Sequence, residues 1–182
     1  MALTYTPPGE LGSACPEFKL KSVTGEWVTK SDFDDSEALV IGFICNHCPY
    51  VKAIEDRLIA ASHDWSDLGV RFIGICSNDS TDHSEDRPEE LLKRWHDKHY
   101  EFPYLIDEDQ SVARSFGAVC TPDFFLYGPD RKLVYRGRLD DSWRDPSQVR
   151  AHELDDAVKA VLDKRPVNSV QKPSMGCSIK WK

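Results

Sequence analysis

The sequence predicts a three-layer α/β domain, a central mixed β-sheet with helices on both faces, and three observations predict it. Two apolar runs of strand length, 38–44 and 70–76, enclose a stretch of helical periodicity. A second helix-then-strand unit follows over 88–106. Two more strand-like segments, 123–127 and 132–136, then flank Gly128-Pro129-Asp130, the mark of an antiparallel hairpin.

Taken in order, 18–28 alternates apolar and polar residues around Thr24-Gly25 and reads as an N-terminal β-hairpin. The run Ala-Leu-Val-Ile-Gly-Phe-Ile over 38–44 has no polar face, as a central strand covered on both sides requires. After Pro49, Val51, Ile54, Leu58, Ala61 and Trp65 recur at three- and four-residue steps, predicting a helix from the preceding cysteines to about Asp64. The strand at 70–76 then completes a right-handed parallel crossover. Pro88 opens a helix to about Tyr100 with Leu91, Leu92 and Trp95 on one face, and a short strand over 102–106 completes an inserted helix-strand unit. Asp109 caps a short helix that stops at Gly117. The last helix is placed from Ser147, with Ala151, Leu154, Ala157, Val158, Val161 and Leu162 on its inner face, and Pro166 ends it.

At 182 residues with 40% apolar content, five Trp, eight Phe and six Tyr, the chain has the makings of one packed domain. It divides into a domain over 1–165 and a basic tail over 166–182, the tail either loose or packed back on the domain. All 31 acidic and 18 of the 23 basic residues precede Lys164, leaving −13 there against a net charge of −8 for the chain. An acidic surface excludes nucleic acid as a main partner. No apolar run approaches the roughly 20 residues that span a bilayer, and the opening MALTYTPPGELGSACPEF lacks the basic start and apolar stretch of an export signal, so neither a membrane nor export is expected and the cytosol is the default compartment.

Six cysteines in such a chain point to redox chemistry or metal binding, and spacing separates the two. Cys45-Asn46-His47-Cys48-Pro49 sets two thiols three positions apart where a buried strand passes into a helix. The unpaired N–H groups and dipole of a helix start favour an anion, so the first cysteine is expected to be thiolate; cysteines in such settings have pKa values of roughly 3.5–7.5. His47 either stabilises that thiolate when protonated or faces solvent. A structural zinc site needs four ligands, and the sequence holds no second Cys-x-x-Cys and no His-x-x-x-His pair, so no metal and no cofactor is expected, although a dithiol serving as a metal ligand or a redox sensor is the alternative from another class.

Phe43-Ile-Cys-Asn-His-Cys-Pro-Tyr-Val51, Cys120-Thr-Pro-Asp-Phe-Phe125 and Gly176-Cys-Ser-Ile-Lys-Trp181, together with the extra unit between Asp86 and Ile106, resemble the thioredoxin superfamily. Within it the likeness is to the redoxin branch of AhpC/TSA-like peroxiredoxins and TlpA/ResA-like reductases, and to its peroxiredoxin-like subgroup. The resemblance implies a thioredoxin-like fold and a thiol-disulfide oxidoreductase. In it Cys45 is the nucleophile, Cys48 the resolving thiol, Pro122 a cis-proline facing them, and the Thr121 backbone the edge that bonds an extended substrate strand. Its partners are protein or small-molecule disulfides, with peroxides as the alternative oxidant, and a thiol electron donor.

The chain departs from the peroxiredoxin pattern Pro-x-x-x-Thr-x-x-Cys. Counting back from Cys45 gives Gly42 and Ala38, and counting back from Cys48 gives Cys45 and Ile41. Peroxide then lacks the polar groups that stabilise its leaving oxygen, which favours disulfides as substrate. The strand before the cysteines also lacks the buried acid usual in thioredoxin, so the proton acceptor is a water, His47 or another group. Cys120, just before Thr121-Pro122, is either a relay thiol or a small core residue. Cys177 is either a third thiol that the tail carries to the site or a packing residue. Cys15 and Cys76 read as structural.

Overall fold

The structure is a computed structural model and describes residues 3–182. Its strands are β1 (Leu3–Tyr5), β2 (Lys19–Ser22), β3 (Trp27–Thr29), β4 (Ala38–Phe43), β5 (Val70–Cys76), β6 (Tyr104–Ile106), β7 (Cys120–Thr121), β8 (Asp123–Tyr127), β9 (Leu133–Gly137) and β10 (Met175–Ser178). The helices are α1 (Pro49–Asp67), α2 (Pro88–Asp97), α3 (Ser111–Phe116) and α4 (Glu153–Leu162). Seven strands form the main sheet in the order β3-β2-β6-β5-β4-β8-β9, parallel across β6-β5-β4 and antiparallel outside them.

The alternation of β4 shows why both faces are covered. Ala38 and Val40 join one core with Ile54, Leu58 and Trp65 of α1, Leu91 of α2 and Leu154 and Val158 of α4. Leu39, Ile41 and Phe43 point the other way, into a core with Val112, Ala113 and Phe116 of α3. Burying a side chain such as Leu58 stabilises the domain by about 1.5–3 kcal/mol, so the two cores hold the sheet centre rigid. Gly42 has no room for a side chain, since a Cβ there would meet the Phe72 ring at 2.9 Å. That close packing accounts for a glycine where a peroxiredoxin pattern has threonine.

The last helix begins at Glu153, six residues later than the sequence suggested. Pro146–Gln148 forms instead a short 3-10 turn capped by Asp145, whose carboxylate accepts from the Ser147 N–H. The tail is not loose. Residues 175–178 form β10, which lies between β1 and β7 in a separate three-stranded sheet. Backbone pairing on both edges holds it. Beyond it Gln110 donates to the Lys180 carbonyl at 2.7 Å, Lys180 N–H donates to Asn78 Oδ1 at 2.9 Å, and Trp181 lies under the Arg114 guanidinium at 4.4 Å. Among the described residues no helix is long and apolar enough to cross a membrane.

Candidate active site

Between β4 and α1 the chain turns through residues 44–48. Pro49 is the first helical residue, and a proline drives the residue before it into extended backbone, so Cys48 (φ −73°, ψ 121°) becomes the helix cap. This corrects the expectation that Cys45 is the thiolate at the helix start: Cys45 precedes the cap by a full turn of chain. The Cys48 thiol is held well below the ordinary value. The largest cause is the hydrogen bond from Cys45; the Cys177 thiol and the backbone N–H groups of Val51 and Cys177 act in the same direction, against burial. Cys45 is pushed far up by burial, by the bond it gives Cys48 and by the nearby charge of Asp86.

Asp86 is the site residue that sequence reasoning missed. Its Oδ1 accepts from the backbone N–H groups of Asn46 (2.8 Å) and His47 (3.1 Å), and its Oδ2 lies 2.5 Å from His47 Nδ1 and accepts from Asn78 Nδ2 at 2.9 Å. Burial raises its pKa, but the bonds from His47 and Asn78 outweigh this and hold it below the usual carboxylate range. One carboxylate thus fixes the two residues between the cysteines. Asn46 is further tied by Nδ2 to the Glu90 carbonyl at 3.0 Å. The His47 ring does not face solvent: it stacks on His83 at 4.1 Å, and its Nδ1 is 3.7 Å from Cys45 Sγ.

The peptide bond Thr121-Pro122 is cis and faces the thiols. Thr121 Oγ1 lies 3.2 Å from Cys45 Sγ, and Cys48 in its thiol form donates to the Thr121 carbonyl at 3.1 Å. The edge expected to receive a substrate strand is already paired: Cys177 of β10 stands opposite Thr121, and Ser178 opposite Cys120. This brings Cys177 Sγ within 3.1 Å of Cys48 Sγ. Burial and its bond to Cys48 push the Cys177 thiol up to about 12. Cys120, one residue along β7, is turned to the opposite side by strand alternation, and its sulfur contacts the Pro122 carbonyl at 3.8 Å. Cys15 and Cys76 lie in the cores with thiols raised by burial.

Cys45, Cys48 and Cys177 are 1%, 0% and 1% exposed, so the sulfurs are closed off from anything large. A cleft of about 280 Å³ borders the site, with Ile54, Pro122, Leu139, Trp143, Ser174 and Met175 in its wall. Cys45 Sγ, His47 Nδ1 and an Asp86 oxygen also lie within 4.8 Å of one another, a set that could ligate an ion. Yet His47 Nδ1 and Asp86 Oδ2 stand 2.5 Å apart, a hydrogen-bond spacing and shorter than the roughly 3.3 Å between two ligands of a tetrahedral ion.

Residues 11–136 match the AhpC/TSA family. The chain belongs to the AhpC/TSA family. As an AhpC/TSA redoxin of the thioredoxin superfamily it falls among thiol oxidoreductases and peroxidases, which indicates thiol-based redox chemistry. Two solved structures resemble this redoxin over its whole length. One is an uncharacterized conserved protein from Geobacillus kaustophilus, 43% identical with TM-score 0.95, covering 100% of this chain and 97% of that one. The other is a hypothetical protein from Sinorhizobium meliloti 1021, 39% identical with TM-score 0.92, covering 98% of each. A putative thiol:disulfide interchange protein from Chlorobium tepidum shares the fold at 18% identity and TM-score 0.63, covering 85% of this chain and 99% of that one. No curated protein sequence matches this redoxin.

Proposed function

We propose that the chain is a thiol-disulfide oxidoreductase in which Cys48 attacks the substrate disulfide and a dithiol that includes Cys48 carries the two electrons. The observation that supports this most is the place of Cys48, at the cap of α1 beside a cis-proline, with its thiol pKa depressed. The thiolate is the attacking species. Its attack on one substrate sulfur breaks the S–S bond, and the electron pair leaves on the other sulfur, which takes a proton. A neighbouring thiol, Cys45 by the sequence spacing, then loses its proton and attacks Cys48 Sγ, so that the second substrate sulfur leaves and an internal disulfide remains. A thiol donor returns the two electrons by the reverse exchange. Asn46 and His47 serve as positioning residues, held by Asp86, and Thr121 and Pro122 bracket the two sulfurs.

Because the sulfurs are buried, the substrate this reading favours is a small disulfide. Small size would also suit a peroxide, the second reading. Against it, the hydroxyl of Thr121 reaches Cys45 rather than Cys48, and Arg136 is bound to Asp123 at 2.8 Å. The test is stopped-flow tryptophan fluorescence of the reduced protein with hydrogen peroxide and, in parallel, with a small disulfide. Faster oxidation by the disulfide, abolished in Cys48→Ser, is expected. Faster oxidation by peroxide would replace the reading with a peroxidase, and silence toward both would remove it.

A further inference from the structure

The strand β10 lies where an extended substrate would lie. It runs antiparallel to β7, places Cys177 opposite Thr121, and sets Cys177 Sγ 3.1 Å from Cys48 Sγ. The approach is specific to this segment. A Cβ on Gly176 would fall 1.9 Å from the Thr121 carbonyl oxygen, so only glycine lets the strand come this near. On one side Ser174 Oγ donates to the Pro122 carbonyl at 2.6 Å and Ser174 N–H to Thr6 Oγ1 at 2.9 Å. On the other, Ile179 N–H donates to the Val119 carbonyl at 3.0 Å and Gln110 holds the Lys180 carbonyl. With β1 on its outer edge, β10 is paired on both sides.

We propose that β10 is a substrate strand built into the chain, and that Cys177 rather than Cys45 closes the internal disulfide with Cys48. The inference rests on the reading of Cys48 as the attacking sulfur. A disulfide needs its sulfurs about 2.05 Å apart, so the pair must close by about 1 Å. Cys45 keeps a different task, donating its S–H to the Cys48 thiolate while its own sulfur stays beside Thr121 Oγ1. Cys48 thiolate attacks an external disulfide and expels one thiolate. Cys177 then gives its proton to the thiolate just expelled and attacks Cys48 Sγ, expelling the second thiolate. Two protein sulfurs are oxidised and one external disulfide is reduced to two thiols. The filled groove also keeps extended protein disulfides out, leaving small ones as the class served.

The experiment is oxidation of the whole protein with one equivalent of dipyridyl disulfide, following thiopyridone absorbance, then acid quench and peptide mass mapping. Two thiopyridones per chain and a Cys48–Cys177 linked peptide are expected. Cys177→Ser should release the first thiopyridone and retain the pyridyl adduct on Cys48, with the second release slowed about tenfold or more by loss of the positioned thiol; Cys45→Ser should still release both. The mapping uses the native chain, so a poorly folding variant does not blunt it. A Cys45–Cys48 peptide in place of Cys48–Cys177 would overturn this inference and leave the dithiol reading standing. Oxidation that leaves Cys48 out of every disulfide and adduct would overturn both.

Discussion

Replacing Asp86 by alanine tests whether one carboxylate holds the turn between the cysteines. The residue is 3% exposed and its carboxylate accepts four hydrogen bonds, from two backbone N–H groups, one imidazole nitrogen and one side-chain amide. Each bond to a charged acceptor contributes about 1.5–3 kcal/mol net. The bonds share one carboxylate, so their costs do not add in full, and removing one partner from a buried charged network typically costs about 3–5 kcal/mol. For a domain of this size that lowers Tm by about 6–20 °C. Asp86→Asn keeps the Oδ1 acceptor for both backbone N–H groups but sets an amide against Asn78 and His47, for a smaller loss of about 1–3 kcal/mol. Because the folded-state pKa of Asp86 lies below its unfolded value, its stabilisation is present above about pH 4 and is lost as pH falls through the folded pKa. Urea denaturation followed by circular dichroism at pH 7, 5 and 3 is the assay, and the gap between wild type and Asp86→Asn should narrow only at the lowest pH. A loss under about 1 kcal/mol for Asp86→Ala at pH 7 would refute the assignment.

Three further expectations follow from the same geometry. Thiolate absorbance near 240 nm should correspond to one anion per chain at pH 7, vanish in Cys48→Ser, and shift to higher pH in Cys45→Ala, which removes the bond that lowers the Cys48 pKa most; no thiolate signal at pH 7 in the wild type would contradict the site. Gly176→Ala should force β10 away from β7, since its Cβ has only 1.9 Å to the Thr121 oxygen, destabilising the protein by about 3 kcal/mol and admitting a bulky, polymer-linked thiol reagent that the native cover keeps from the sulfurs, and unchanged reactivity toward that bulky reagent would count against it. Glu55, 3% exposed on α1, accepts from Arg94 at 2.6 and 2.7 Å and from Tyr100 at 2.6 Å; Glu55→Ala should cost about 3–5 kcal/mol in urea denaturation by undocking α2, and Tyr100→Phe about 1 kcal/mol.

Where apolar periodicity carried the information, the sequence was legible: β4, β5, α1 and both crossover units lie where their burial patterns put them, because strands covered on both faces and amphipathic helices each need a distinctive spacing of apolar residues. The start of α4 was not legible. Ser147 looks like a helix cap, yet Asp145 takes the nearby N–H groups into a 3-10 turn and the helix waits for the acidic run at Glu153. The cysteine pair was plain from spacing, but the rank of its members depended on one residue, since Pro49 decides which cysteine caps the helix. Asp86 carried no signal at all: it sits 40 positions from Asn46, in a segment with no periodicity, and acts only through a long-range bond. The same holds for Gly176, whose need to be glycine appears only when β10 meets Thr121.

Cys177 lies 129 positions after Cys48, and the sheet that covers the sulfurs is completed only when β10 pairs with β1 and β7. Synthesis proceeds at about 5–20 residues per second, so on the order of ten seconds separates the emergence of the Cys45/Cys48 turn from that of its cover. Within the first part of that interval β4, α1 and β5 can meet, and from the emergence of Thr121 until that of β10 the groove beside Thr121 stands open. The nascent chain therefore passes through a stage in which Cys48 is accessible to large partners, and it is the arrival of β10, made after every other strand of the two sheets, that narrows its reach to small ones.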